Sequence, residues 1–478
     1  MRVLLLLLAC AIVGCGKDAP PAAQGVGSKV TPSAIRQQVM DLYAGSQPPG
    51  KDAWPLIDEA MKRMTAVHEA LAAEGVSETD LFDEPDIDYK RIIGPAADES
   101  ETPSRELMAL ARLEDEGVFD LLDEMAACPR AIVSLPEDQV LLFRDTKHLH
   151  SSQQLAVATA ASAKLALDAG DEAVFVQRLE QLLALGRLTS HEPSLMGWLT
   201  GTACTGLALQ QARFALLEDD LTPASSDRLL TVIERNRPAP IRHALCAERL
   251  AALDVIARTY TLEDNGDGRL DMQKLRSLPL GTSPIGPPQG AGGGNSSAPL
   301  AVAAGRVEMI AKVDEYFLPV IEAAQRSRYE RDDLTAHEQS VTDSLNWRHT
   351  FLPIILPGLV RPLGRSDLLA MEVAGTETML ALEVYRSEHG AYPEALAALL
   401  PDVLAELPPD PYSGKPLGYR LLDDDAYGRG YLLYSVGADG IDNGGDYPPE
   451  EPWRALRHAP GEAWDYVLNL PPALLEKD

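Results

Sequence analysis

The sequence predicts a mainly α protein: an antiparallel helical array followed by a small α+β module made of one long helix and a β-hairpin. Three observations predict it. Apolar residues recur at helical spacing from Thr31 to about Leu275, with little strand-like alternation. A Gly- and Pro-rich stretch, 279–300, then interrupts the pattern. Beyond Ser366 a last long helical run gives way to turn residues and two short apolar stretches. With 478 residues, 45% of them hydrophobic, the chain can bury a sizeable core and has the length of two to four domains.

Residues 1–14 read as a signal peptide: Arg2, an apolar run of 11 residues from Val3 to Val13, and Gly14 ahead of Cys15. Spanning a bilayer takes about 20 apolar residues, so this run is too short to stay as an anchor. Ile12-Val13-Gly14-Cys15 resembles the lipobox of bacterial lipoproteins, in which the cysteine is diacylated and becomes the mature N-terminus. The resemblance implies a lipid on Cys15, a membrane held through it, and a chain facing the periplasm or the cell surface. Leu7-Leu8-Ala9-Cys10 fits the same pattern but leaves too short an apolar core for export. Residues 15–33, with Pro20-Pro21-Ala22-Ala23, form a lipidated tether.

The chain carries 42 basic against 72 acidic side chains, a net charge of −30, and loss of residues 1–14 removes only Arg2, which takes it to −31. Such a surface repels nucleic acid and anionic lipid headgroups, and attracts cations or basic partners. Beyond Cys10 and Cys15 only Cys128, Cys204 and Cys246 remain, room for one disulfide at most.

The helical domain covers residues 34–278. Its clearest helix carries Phe175, Leu179, Leu182 and Leu183 on one face, after the turn Ala169-Gly170-Asp171. Alanine-rich Ser152 to Ala169 lets a second helix approach closely, and Leu195 to Leu217 supplies a third. After the linker at 279–300, residues 301–365 continue with a helical run from Val302 to about Asp333. A connector follows, Phe351 to Leu363, which Pro353, Pro357 and Pro362 interrupt.

Residues 366–478 form the terminal module. Leu369, Val373, Thr376, Leu380 and Val384 share one face of a helix that starts at Ser366 and stops at His389-Gly390, where glycine takes the left-handed conformation of a helix end. Leu417 to Leu422 and Tyr431 to Val436 pair as a hairpin. The order helix, Tyr385-Arg386-Ser387-Glu388-His389-Gly390-Ala391-Tyr392-Pro393, Leu407-Pro408-Pro409-Asp410-Pro411-Tyr412-Ser413-Gly414-Lys415-Pro416, then Tyr434-Ser435-Val436-Gly437-Ala438-Asp439-Gly440, resembles the soluble domain of the type II secretion major pseudopilin, over residues 366 to 447. The family's prepilin cleavage site and apolar polymerising helix are absent from this sequence.

Two acidic loops are candidate calcium sites. Asp439, Asp442, Asn443 and Asp446 lie in one glycine-bearing loop, and calcium takes six to eight oxygens from carboxylates, amides and backbone carbonyls. The pseudopilin resemblance implies calcium here, with Asp439 and Asp446 as acidic ligands; the alternative is a solvated acidic turn. Glu263, Asn265 and Asp267 occupy positions 1, 3 and 5 of an EF-hand-like loop that also holds Asp271, but Lys274 stands where the bidentate acid of position 12 belongs. A bare turn is the simpler expectation there.

No catalytic residue is singled out. His148 and His150 have no adjacent acid or cysteine, His68-Glu69 and His337-Glu338 lack a second histidine four residues on, and no nucleophile elbow, phosphate loop or dinucleotide fingerprint occurs. The sequence therefore points to a non-catalytic cell-envelope lipoprotein that binds or scaffolds a protein partner and does not bind nucleic acid. Its alternatives are an envelope hydrolase assembled from acidic or histidine residues, and a component related to secretion pseudopilins.

Overall fold

The computed structural model describes residues 30–74, 105–218, 220–278, 303–349, 351–423, 425, 427–448 and 464–470. The predicted signal peptide, Cys15, nearly all of the tether and the 279–300 linker lie outside them. The protein is mainly helical with a small three-stranded antiparallel sheet. Its first helices are α1 (Pro32–Gly45), α2 (Trp54–Ala73), α3 (Arg105–Asp115), α4 (Val118–Ala126), α5 (Lys147–Asp168), α6 (Glu172–Ser190) and α7 (Leu195–Leu217). They continue as α8 (Pro223–Arg235), α9 (Ile241–Thr259), α10 (Met272–Arg276), α11 (Arg306–Ala323), α12 (Thr335–Ser344), α13 (Leu352–Ile355) and α14 (Val360–His389). Strands β1 (Gly418–Leu421), β2 (Tyr431–Ser435) and β3 (Tyr466–Val467) follow, in sheet order β1-β2-β3.

The centre of the array is α5–α6–α7, three helices that pack on one another. Gly170 takes φ 75° in the turn after α5, and the Asp171 side chain caps α6 by accepting from Val174 N at 3.1 Å. Phe175, Leu179, Leu182 and Leu183 are all buried, as their spacing predicts. Helix α7 is buried on all but the stripe through Met196 and Ala203, because α5, α6, α9 and α14 all contact it. Where α6 crosses α7 the backbones nearly touch: a Cβ on Gly201 would sit 2.4 Å from Ser190 N, and one on Gly186 would sit 2.8 Å from Gly201 O. No other residue fits either position without parting the helices.

Between α4 and α5 the chain leaves the helical pattern from Cys128 to Thr146, with one 3₁₀ turn at Leu141–Phe143. The backbone groups freed there bond to side chains of the array. The Gln47 amide donates to Ala131 O and accepts from Ala131 N, Tyr43 Oη accepts from Val133 N, and Asp254 accepts from Leu141 N at 3.0 Å.

Helix α14 starts at Val360, six residues before the predicted Ser366. Pro362 falls in its first turn, where no backbone N–H is needed, and the Glu338 carboxylate accepts from the N–H groups of Leu359 and Val360. It ends at Gly390, φ 78°, where predicted. The expected single apolar face understates it: every residue from Val373 to Glu383 is buried, because α7 and α8 cover one side and the sheet another. One continuous core joins α2 through α8 to α14, Leu417, Tyr431, Leu433 and Leu468. A second core holds α1, α9, α11 and the 351–363 segment, so the chain after the linker returns to the helices. The run expected from Val302 to Asp333 is shorter, Arg306–Ala323.

The hairpin pairs Gly418 with Tyr434 and Leu421 with Tyr431. Strand β3, which no alternation announced, adds Val467 opposite Tyr434. Two residues of β3 are too few to hold themselves, and Asn469 extends the pairing with its side chain, accepting from Leu433 N and donating to Tyr431 O. Buried Asp410 ties the 408–411 turn to β2 by accepting from Ser435 Oγ and Val436 N.

Candidate metal centre

After β2 the chain turns through the acidic loop 439–446 and, at β3, comes back beneath it. Gly444 and Gly445 both take positive φ, 73° and 83°, which only glycine accepts without strain. This twist aims two backbone N–H groups inward: Asn443 and Gly445 donate to Asp465 Oδ2 at 3.0 and 2.7 Å. Asp465, 0% exposed, thus becomes the floor of the loop.

The loop's own side chains divide in two. Asp439 Oδ1 accepts from Ile441 N at 2.9 Å, while its Oδ2 is buried without a donor. Asp442 is exposed, and its Oδ1 accepts from Tyr434 Oη and Gly444 N. Asn443 donates to Ile441 O and leaves its amide oxygen for other use. The Asp446 side chain is exposed, and its backbone carbonyl accepts from Asp465 N. Of the four residues named from sequence, Asp439, Asp442 and Asn443 gather about Asp465, and Asp446 contributes backbone.

Asp465 also has a buried oxygen, Oδ1, without a donor. Its carboxyl is pushed up to about 6, chiefly by burial and further by the charges of Asp442 and Asp439, against the pull of the Gly445 and Asn443 N–H bonds. Two orphaned carboxylate oxygens beneath one loop are costly. An all-oxygen donor set of this kind suits a hard cation such as calcium or magnesium and not zinc. No group of three His, Cys, Asp or Glu side chains stands at metal-closing distance among the described residues. Sequence reasoning missed Asp465. The available signal was an acid inside the apolar run Trp464-Asp465-Tyr466-Val467-Leu468.

The EF-hand-like loop has another use for its acids. Asp267 accepts from Val307 N at 3.1 Å and so caps α11, while Asp271 accepts from Gln273 N and Lys274 N at the start of α10. Asn265 accepts from Asp267 N, and Glu263 lies exposed, 3.9 Å from Arg269. The four side chains named there, Glu263, Asn265, Asp267 and Asp271, point to four different tasks and do not converge.

His148 and His150 do not converge either. His148 is half-buried and bonds Glu192 at 2.7 Å, in a network that Arg144 completes at 2.8 Å, while His150 is on the exposed side of α5. The cavity beside His148 holds about 10 Å³, room for one water. Cys128, Cys204 and Cys246 are buried and form no disulfide with one another, and burial pushes the Cys204 thiol up to about 12, far from any reactive thiolate. No helix among the described residues is long and apolar enough to cross a membrane. Comparison with known family models, with curated proteins and with solved structures finds nothing that matches this chain.

Proposed function

We propose that this protein is a non-catalytic cell-envelope lipoprotein, anchored through a diacylated Cys15, that binds or scaffolds a protein partner, and that one calcium ion staples its terminal module. The observation that carries the calcium reading is the pair of donorless buried oxygens, Asp439 Oδ2 and Asp465 Oδ1. In this reading Asp439, Asp442 and Asp465 supply carboxylate oxygens and Asn443 an amide oxygen. The ion acts by charge neutralisation, linking a loop that otherwise repels itself to the strand beneath it. The loop stands at one end of the sheet, so fixing it fixes that surface for a partner. The terminal module's resemblance to the pseudopilin soluble domain rests on the motifs of residues 385 to 440, and supports a place among envelope assemblies.

The anchor and the ion are tested separately. Mass spectrometry of the mature chain is expected to find a diacylglycerol on the sulfur of Cys15 at the N-terminus; an intact precursor or an unmodified start elsewhere overturns the envelope reading. Calorimetric titration of the chelator-treated chain with calcium chloride is expected to show one saturable site, lost in Asp465→Asn. Absence of heat and of any thermal shift at millimolar calcium overturns the staple.

A further inference from the structure

One wide cleft among the described residues belongs to neither acidic loop. It encloses about 770 Å³ between α8, α14 and the 403–411 turn, a volume in the range of ligand sites. Its floor is apolar, with Leu230 from α8, Leu369 and Val373 from α14, and Leu404 from the turn. Its rim is acidic: Asp227, Glu234 and Glu406 line it and are exposed. Glu377, nearly buried, forms an ion pair with Arg237, the one basic residue of the lining. That pair neutralises itself and leaves the three exposed acids unbalanced.

The cleft is built to keep its shape. Pro408, Pro409 and Pro411 fix the backbone of one wall, and Asp410 bolts that wall to β2. Tyr329, half of it in solvent, forms a lip: its N–H donates to Pro411 O at 3.1 Å, and its ring lies where a Cβ on Gly414 would be, 2.5 Å from the nearest ring carbon. A preformed site with a fixed aromatic edge loses little freedom on binding.

We propose that this cleft binds an extended segment of a partner protein in which lysine or arginine alternates with apolar side chains. The apolar residues fill the floor over Leu369 and Val373, and the cations meet Asp227, Glu234 and Glu406. Charge complementarity selects this occupant: the local rim and the net charge of −30 both repel acidic segments. A nucleic acid is excluded on the same ground. The inference deepens the reading of the chain as a binding protein and depends on neither calcium nor the lipid.

The test uses the full mature chain in detergent and two fluorescein-labelled peptides, one alternating leucine with lysine, the other leucine with glutamate. The lysine peptide is expected to bind saturably, more weakly as salt rises, and the glutamate peptide not at all. Glu234→Lys on the rim and Ala370→Trp in the floor both alter exposed positions, so folding is retained and an unchanged melting curve verifies it. Each is expected to lower the affinity by about tenfold or more, an effect of about 1.4 kcal/mol. Ala370→Trp is the decisive variant, since it changes no charge and leaves diffuse attraction to an acidic protein intact. Lack of saturable binding, equal binding of both peptides, or affinity unaltered by Ala370→Trp overturns the proposal. Capture from native membranes separates it from the broader reading. A partner held equally by wild type and by both variants overturns the cleft and keeps the binding function; a partner lost with the variants supports both.

Discussion

Loops 263–271 and 439–446 have nearly the same composition, acids and an asparagine among glycines, yet they end in different states. In the first, helix starts compete for the carboxylates and win. Asp267 bonds the N–H of Val307 and Asp271 those of Gln273 and Lys274, so each acid already has a donor and a dipole to oppose. In the second no helix among the described residues starts against the carboxylates. Among the described residues its carboxylates take donors from the loop's own N–H groups and from Tyr434 Oη, and Asp439 Oδ2 and Asp465 Oδ1 stay without partners in a buried place. The difference teaches that an acidic loop is disposed to bind a cation when its surroundings offer fewer donors than it has oxygens.

The largest effect expected from this comparison is the response to calcium. At a free concentration of a hundred times Kd, the wild type gains about 2.7 kcal/mol of stability by mass action, measured by urea denaturation with calcium and with chelator. Asp465→Asn abolishes that gain; Asp267→Ala leaves it untouched. A gain lost through Asp267→Ala instead would reverse the assignment of the two loops.

Next in size is the pH dependence of the chelated protein. The folded carboxyl of Asp465 is raised to about 6, above about 3.9 when unfolded, so the folded state holds the proton more tightly. Its contribution is therefore present below about pH 4 and is lost as pH rises through 6, by roughly 2–3 kcal/mol in all. Asp465→Asn keeps an acceptor for the Asn443 and Gly445 N–H groups and flattens this part of the profile. A wild-type profile parallel to that of the variant between pH 4 and 7 would show that the buried carboxyl carries no such penalty.

A smaller effect comes from the loop that caps. Asp267→Ala removes the bond to Val307 N and is expected to cost about 1 kcal/mol, while Asp267→Asn, which still accepts, restores most of it. Least of all is Lys274→Glu, which supplies the acid missing from position 12 of the EF-hand-like pattern. With Asp267 and Asp271 committed to helix starts, it is expected to leave calcium affinity unchanged; a new site by calorimetry would mean that the caps yield to the ion.

Much of the helical body was legible residue by residue. Phe175, Leu179, Leu182 and Leu183 announced α6, the turn Ala169-Gly170-Asp171 its start, Leu195 to Leu217 the whole of α7, Gly390 the end of α14, and two apolar stretches the hairpin. Candidate site residues were legible by type only. Asp439, Asp442 and Asn443 were found because acids and amides close in sequence stay close in space, whereas Asp465 lies 20 residues beyond Gly445, to which it bonds.

What the sequence alone determined was local: the spacing that gives a helix one apolar face, the glycine that ends it, and the acids that crowd a turn, all set by interactions within a few residues. Only the tertiary structure decided that α14 is buried on all sides from Val373 to Glu383, that Asn469 completes a strand too short to stand alone, and which of two similar loops keeps carboxylate oxygens without donors. Those outcomes depend on which backbone N–H groups and which apolar surfaces arrive from far along the chain. A carboxylate bonds whatever donor packing brings to it, and no spacing within the loop records that.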